Sequence, residues 1–420
     1  MADDGERGHR TGPQQRQRSL TMPTPDPEHG TAAARRPASP LGEVLVVMLK
    51  LGTIAFGGPA VHVAMLREET VRRRRWLQDT QFLDLFGAVS VLPGPSSTQL
   101  AIVLARRRAG WAGLLLGGAC FILPAMAIVL ALARAYVRYG STPTGGGVLY
   151  GVGPVVIAVV AVAVWELARS ALMPHREQGW LAVAGLAAVG VAAFVGYLAG
   201  LNVLVILAAA GLVVSLAGNR RRLGPAARSL LLPILGLLAT AAPARRHPSL
   251  TAVAGEFLKL GVIVFGSGSV LLAFLQRDLV SGLGWLDTRQ VLDGVIAGQI
   301  TPGPVFTTAT FLGYLLGGVP AAIVATAAIF APSFVLVAAL EPLIGHIRRS
   351  PWAGAALDGV TIAALGLMAG VTIDLGGAAV TDPLTAAIAV AALLVVLHWR
   401  PNTLWLVLAG AATGIAHTLR

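Results

Sequence analysis

Two lysines stand inside short apolar runs, Lys50 in 43–56 and Lys259 in 255–275. An ammonium at membrane depth is costly and usually serves a polar task. Each lysine either counters an anion directly, pairs with a carboxylate such as Glu43 or Glu256, or snorkels to an interface. Glu43 and Glu256 are also the leading candidates for taking up a proton, and His62 joins them because imidazole titrates near neutrality. A chain break follows each lysine, at Phe56-Gly57-Gly58-Pro59 and at Phe265-Gly266-Ser267-Gly268. A second pair of breaks lies at Pro93-Gly94-Pro95 and Pro302-Gly303-Pro304. Proline ends the preceding helix and glycine permits a reversal. The helix that restarts with Ser96, Ser97 and Thr98 offers unpaired amides, a positive dipole end and three hydroxyls, which together suit an anion. In the second copy Thr307 and Thr308 follow Val305-Phe306, so hydroxyls are fewer. The plainer reading is that these residues only cap and kink helices.

Broken helices at this depth are tolerated where protein or a cavity surrounds them, so the rest of the chain must supply that setting. Of 420 residues, 55% are hydrophobic and only 12% charged, with 50 glycines. Mean hydropathy is +0.73. A soluble domain carries about 25% charged residues. The composition therefore specifies an all-α polytopic membrane protein. Net charge is +12. The arginines cluster between apolar runs, so the charge reads as topology and lipid contact rather than nucleic-acid binding. The single cysteine, Cys120, leaves no internal disulfide. No carboxylate cluster suggests a metal, and no cofactor is expected. Residues 1–40, polar and without an apolar run, read as a disordered tail rather than a signal peptide.

The second series of apolar runs copies the first. Lys50-Leu51-Gly52 recurs as Lys259-Leu260-Gly261, Trp76 as Trp285, and Pro93-Gly94-Pro95 as Pro302-Gly303-Pro304, all at an offset of 209. This is a tandem duplication: a first repeat over 41–217, a linker over 218–254, and a second repeat over 255–420. The counterparts of Arg72–Arg75 and Arg106–Arg108 in the second copy, around 276–289 and 315–318, are balanced or uncharged, so equivalent loops face opposite sides and the repeat is inverted. Residues 43–56 with 60–72, and 80–92 with 96–105, then form hairpins of half-helices returning to the cytoplasm. A crossing at 229–242 is needed to invert the second half. Full crossings with the N-terminus outside are the alternative.

Enzyme signatures are absent: there is no Gly-x-Ser-x-Gly, no His-Glu-x-x-His and no phosphate-binding loop. Phe56-Gly57-Gly58-Pro59-Ala60-Val61-His62, then Trp76, then Leu92-Pro93-Gly94-Pro95, with a diverged second copy, resembles the chromate ion transporter family in its long two-repeat bacterial form. The resemblance covers about 41–420. It implies a secondary transporter that exports chromate driven by the proton motive force, confers chromate resistance, and accepts sulfate as a structural mimic. It also implies a multi-pass protein of the bacterial inner membrane. The motif carries over to Phe56, Gly57, Gly58, Pro59, His62, Trp76, Pro93, Gly94 and Pro95, and in the second repeat to Phe265, Gly266, Trp285, Pro302, Gly303 and Pro304. Ser267-Gly268 stands where the first break has Gly58-Pro59. The expected substrate site therefore comprises both breaks of each repeat, the hydroxyls of Ser96–Thr98 and of Thr307 and Thr308, and Lys50 and Lys259. A sulfate-type importer, a passive anion channel and a homo-oligomeric assembly are left open.

Overall fold

The computed structural model describes residues 39–55, 58–90, 92–140, 142–219, 248–264, 268–340, 351–399 and 403–419. Among these the secondary structure is helical. In the first repeat, α1 (Pro40–Ile54) starts on the Ser39 side chain, which accepts from Gly42 N, with Pro40 pre-set for the first turn. α2 (Gly58–Arg67) runs into a π turn over Glu68–Arg73. α3 (Asp79–Val89) leads to the second break, and α4 (Ser96–Ala112) follows it. Gly110, at φ 62°, folds the chain back within α4, a conformation that glycine adopts without strain. A further π turn leads into α5 (Gly118–Tyr139). Then come α6 (Pro143–Leu172), α7 (Trp180–Leu198) and α8 (Val203–Gly218).

The second repeat retraces this order. α9 (Leu250–Ile263), α10 (Gly268–Leu275) with its π turn at Gln276–Gly282, and α11 (Thr288–Ile300) match α1 to α3. α12 (Thr308–Leu340) reverses at Gly318, φ 67°, as α4 does at Gly110. α13 (Pro351–Ala379), α14 (Pro383–Trp399) and α15 (Thr403–Thr418) match α6 to α8. The π turn that ends the first hairpin recurs in the second repeat, so the duplication extends to a local irregularity.

Among the described residues five stretches are long and apolar enough to cross a membrane: 96–139, 143–172, 180–198, 305–339 and 354–379. α8, α14 and α15 are apolar but shorter, at 16 to 17 residues, below the roughly 20 that span hydrocarbon upright. The sequence-based crossing at 229–242 lies outside the described residues, as do Arg220–Arg222, Arg348, Arg349 and Arg400.

The repeats are inverted and interleaved. A methyl group at Gly153 would lie 3.5 Å from Ala379 Cβ, and one at Gly376 would lie 3.7 Å from Ile157 Cγ2. Position therefore rises along α6 as it falls along α13, so these equivalent helices pack antiparallel. α6 also packs along α14 and α15 of the other repeat, and α13 packs along α7 and α8. The α6–α15 seam is made of facing glycines. A Cβ at Gly151 would fall 1.9 Å from Gly410 O, and one at Gly414 would fall 2.0 Å from Gly147 O. Small residues let backbones approach where burial from water drives nothing.

Polar contacts locate the two ends of the bundle. Glu43, at the start of α1, pairs with Arg74 at 3.1 Å and with Arg108 at 2.8 Å. The end of α2 and the end of α4 thus return to where α1 began, as re-entrant hairpins require. Arg106 donates from the same end to Val337 O (3.0 Å) and Ala338 O (2.8 Å) on α12. At the opposite end Arg277 donates to Gly200 O, joining the base of the second repeat's hairpin to the α7–α8 turn.

Candidate functional site

The second break of each repeat meets the end of the other repeat's first half-helix, giving two cross-repeat pairs. Gly94 N donates to Val264 O at 2.5 Å, and Gly303 N donates to Ala55 O at 3.0 Å. These bonds are images of one another, since 94 and 303, and 55 and 264, each differ by 209. The second break of either repeat is thus pinned to the first half-helix of the other. Gly94 sits at φ 111° and Gly303 at φ 90°, in the left-handed region that favours glycine.

The two pairs differ in chemistry. At the Gly94 break, α4 starts after Pro95, which supplies no side-chain cap. Gln99 N to Pro95 O (2.9 Å) is the first bond of the helix, so the Ser97 and Thr98 amides lie ahead of the ladder. Ser97, Thr98, Gln99 and Ser333 are all buried. Thr98 Oγ1, Gln99 Oε1 and Ser333 Oγ have no hydrogen-bond partner, while Gln99 Nε2 donates to Pro93 O. A Cβ on Gly94 would lie 2.7 Å from both Gln99 Nε2 and Ser333 Oγ. Three orphaned polar atoms around one helix start are costly, at about 1–3 kcal/mol each. A ligand that accepts hydrogen bonds would offset the cost at the Thr98 and Ser333 hydroxyls, whereas Gln99 Oε1 can only accept and calls for a donor such as water.

His62 links this break to the other. Its Nε2 lies 3.0 Å from Ala55 O and its Nδ1 3.3 Å from Ser97 Oγ. A carbonyl can only accept, so Nε2 carries the proton and Nδ1 accepts from Ser97. His62 is 1% exposed, with its ring edge-on to Phe121. A second proton on Nδ1 would turn Ser97 Oγ into an acceptor and place a positive charge at the start of α4.

At the Gly303 break the hydroxyls are already occupied. Thr307 Oγ1 donates to Pro304 O (2.7 Å) and Thr308 Oγ1 to Val305 O (2.9 Å). They cap their own turn. The position equivalent to His62 is Leu271, and that equivalent to Ser97 is Phe306. The hydroxyls of the second copy are satisfied within their own turn, whereas the first copy has open polar valences.

Lys50 and Lys259 are engaged elsewhere. Lys50 Nζ lies 2.5 Å from Glu69, not on Glu43, whose carboxylate is taken by two arginines. Lys259 Nζ lies 2.6 Å from Glu256 and 2.8 Å from Asp278. Glu69 and Asp278 are again 209 apart, so the duplication extends to a matched ion pair in each hairpin. Both lysines are about 40% exposed, which fits snorkelling ends better than a buried anion ligand. Beyond the membrane-crossing helices, the Arg67 guanidinium beside Asp79 holds that carboxyl below the usual carboxylate range. Gly57, Gly266 and Ser267 lie outside the described residues, and only the helical backbone of Gly58 and Pro59 is described.

Sequence reasoning passed over Ser333 and Gln99 as ligands and passed over Glu69, Asp278 and Asp293 entirely. The 209 offset was the available signal for the last three. Ser333 carried none beyond its place after Pro332.

The geometry thus defines a duplicated helical membrane protein whose broken helices meet between the repeats. The family model for chromate transporters matches residues 42–215 and 251–415, one match for each repeat. The chain belongs to the chromate transporter family. It is 31% identical to a chromate transport protein of Cupriavidus metallidurans, over 93% of this chain and 97% of that protein. It is 33% identical to a probable chromate transport protein of Synechococcus elongatus, over 85% and 90%. A chromate transport protein of Pseudomonas aeruginosa is 30% identical, over 82% and 83%. No solved structure matches the chain significantly.

Proposed function

We propose that the protein is a secondary transporter that exports chromate from the cytoplasm in exchange for protons, and thereby confers chromate resistance. The observation that carries the substrate class is the pair of partnerless buried hydroxyls, Thr98 Oγ1 and Ser333 Oγ, around the start of α4. A tetrahedral dianion offers acceptors in several directions. The amides ahead of the α4 ladder and two hydroxyls supply donors. His62 adds a positive charge when protonated, which ties anion binding to a proton. Of the other proton candidates, Glu43 and Glu256 sit in ion pairs and serve structure in this reading. Names of the relatives above support chromate as the cargo. By the positive-inside rule the arginine end, with Arg72–Arg75 and Arg106–Arg108, faces the cytoplasm of a bacterial inner membrane, and the N-terminus lies there too.

The test is chromate uptake into everted membrane vesicles energised by respiration, with and without protonophore and excess sulfate. Uptake that needs the gradient and is competed by sulfate is expected. Sealed vesicles that contain the protein and take up no chromate would overturn the reading.

A further inference from the structure

Leu83-Asp84 on α3 and Leu292-Asp293 on α11 occupy the same place in the two repeats, 209 residues apart, yet their surroundings are opposite. Leu83 is 53% exposed and Leu292 3%; Asp84 is exposed and Asp293 only 4% exposed. α11 packs against α5, α6, α12 and α13, whereas α3 rests on α4. α11 is enclosed by the long helices, whereas α3 buries Phe82, Leu85 and Val89 against α4 and leaves its Leu83–Asp84 face undocked.

Asp293 is buried in an unusual way for a carboxylate. Its Oδ2 has no hydrogen-bond partner, and no ion pair to it is seen among the described residues. Tyr136 on α5 lies near the carboxyl. The carboxyl borders a cavity of about 40 Å³, together with Tyr150, Arg289, Ala378 and Thr381. That is room for a water molecule. The groups around it are few. Arg289 and Asp287 lie toward the start of α11 on its own element. Tyr150 on α6 donates to Asp382 at 2.7 Å and stacks on His417 of α15, and α13 lines the cavity with Ala378 and Ala379. The cavity lies at the end opposite the Arg72–Arg75 cluster, where α6 begins and α13 ends.

We propose that Asp293 is a proton-binding site, protonated while α11 is docked, and that Asp84 takes the same role when the hairpins exchange conformations. A buried carboxylate with no direct ion pair is costly, Arg289 across the cavity notwithstanding, and a proton on Oδ2 removes that charge. Undocking α11 would bare Asp293 to water at the far end and release the proton there or load it. Docking α3 would bury Asp84 at the arginine end. Each conformation thus exposes one carboxylate to one side of the membrane and buries the other, which is what coupling to a proton gradient requires of an inverted repeat. The coupling part of this inference rests on the proton-driven reading above; the proton site itself does not.

Two measurements on the full-length protein separate these claims. The first uses dicyclohexylcarbodiimide, which modifies protonated carboxyls in apolar surroundings, with adducts mapped by mass spectrometry at neutral pH. Asp293 is expected to be modified and Asp84 not. An unmodified Asp293 with a modified Asp84 would overturn the assignment, as would no adduct on Asp293 from pH 6 to 8. The second follows chromate-evoked proton movement in proteoliposomes with an internal pH dye. Asp293→Asn is expected to lower it about tenfold or more, and Asp293→Glu to restore it with a shifted pH profile. Wild-type proton flux retained in Asp293→Asn would refute the coupling role. An adduct on Asp293, in a wild-type protein that transports chromate without moving protons, would sink the proton-driven reading and leave the proton site standing.

Discussion

Replacing Thr98 with valine separates a structural hydroxyl from a functional one. Thr98 Oγ1 is fully buried and partnerless, so valine keeps the shape and deletes a group that costs stability. The substrate-free protein should be as stable as wild type or more so, by up to about 1–3 kcal/mol, the usual penalty for an unsatisfied buried polar group. With a dianion bound, the same hydroxyl would donate a charge-assisted bond worth about 1.5–3 kcal/mol, so affinity should fall roughly 10- to 150-fold. The matched control is Thr307→Val. Its hydroxyl donates to Pro304 O at 2.7 Å, so that variant should lose about 0.5–1.5 kcal/mol of stability while its KM moves less than about threefold. The assays are thermal unfolding in detergent without substrate and the KM for chromate in vesicles. A Thr98→Val protein that unfolds at lower temperature and transports with an unchanged KM would refute the assignment of the orphaned hydroxyl to substrate.

Lys259→Ala should destabilise the protein more than Lys50→Ala. Lys259 holds both Glu256 and Asp278, whereas Glu69 keeps Arg73 and Arg74 at 3.3 and 3.4 Å when Lys50 is lost; equal losses in detergent melts would contradict the pairing. Gly151→Val drives a side chain into Gly410 O across the α6–α15 seam, and a strong loss of monodisperse protein by fluorescence-detected size exclusion is expected. An unaltered profile would show that these helices do not touch as described. Single cysteines at Gly110 and Gly318, in a Cys120→Ser background, should label from opposite sides of the membrane with an impermeant maleimide. Labelling from one side would refute the inversion.

Much of this architecture was legible because duplication turns spacing into evidence. Lysines, tryptophans and Pro-Gly-Pro breaks recurring at 209 residues revealed two repeats, and the asymmetric arginines revealed that they are inverted. What stayed hidden depends on contacts between repeats. No local pattern announces that Gly94 will bond Val264, or that Ser333, on a helix more than 200 residues away, will face Gly94. Lys50 drew attention as a buried cation, yet its carboxylate partner was Glu69 rather than Glu43, because the hairpin brings the end of α2 beside the middle of α1. The inequality of the two break pairs was half visible in the hydroxyl count. Its cause, Thr307 and Thr308 bonding to their own turn, needed coordinates.

The interleaving of the repeats also sets a timetable for biosynthesis. Gly151 on α6 waits for Gly410, 259 residues later in the chain. At about 5–20 residues per second of synthesis, the glycine face of α6 is in the membrane for roughly ten seconds to a minute before its partner exists. The first repeat cannot finish folding as it emerges, and for that interval α6 must be held by lipid, by the insertion machinery or by a passing helix. Substitutions that make this face stickier would then do harm during synthesis even where the finished protein could accommodate them.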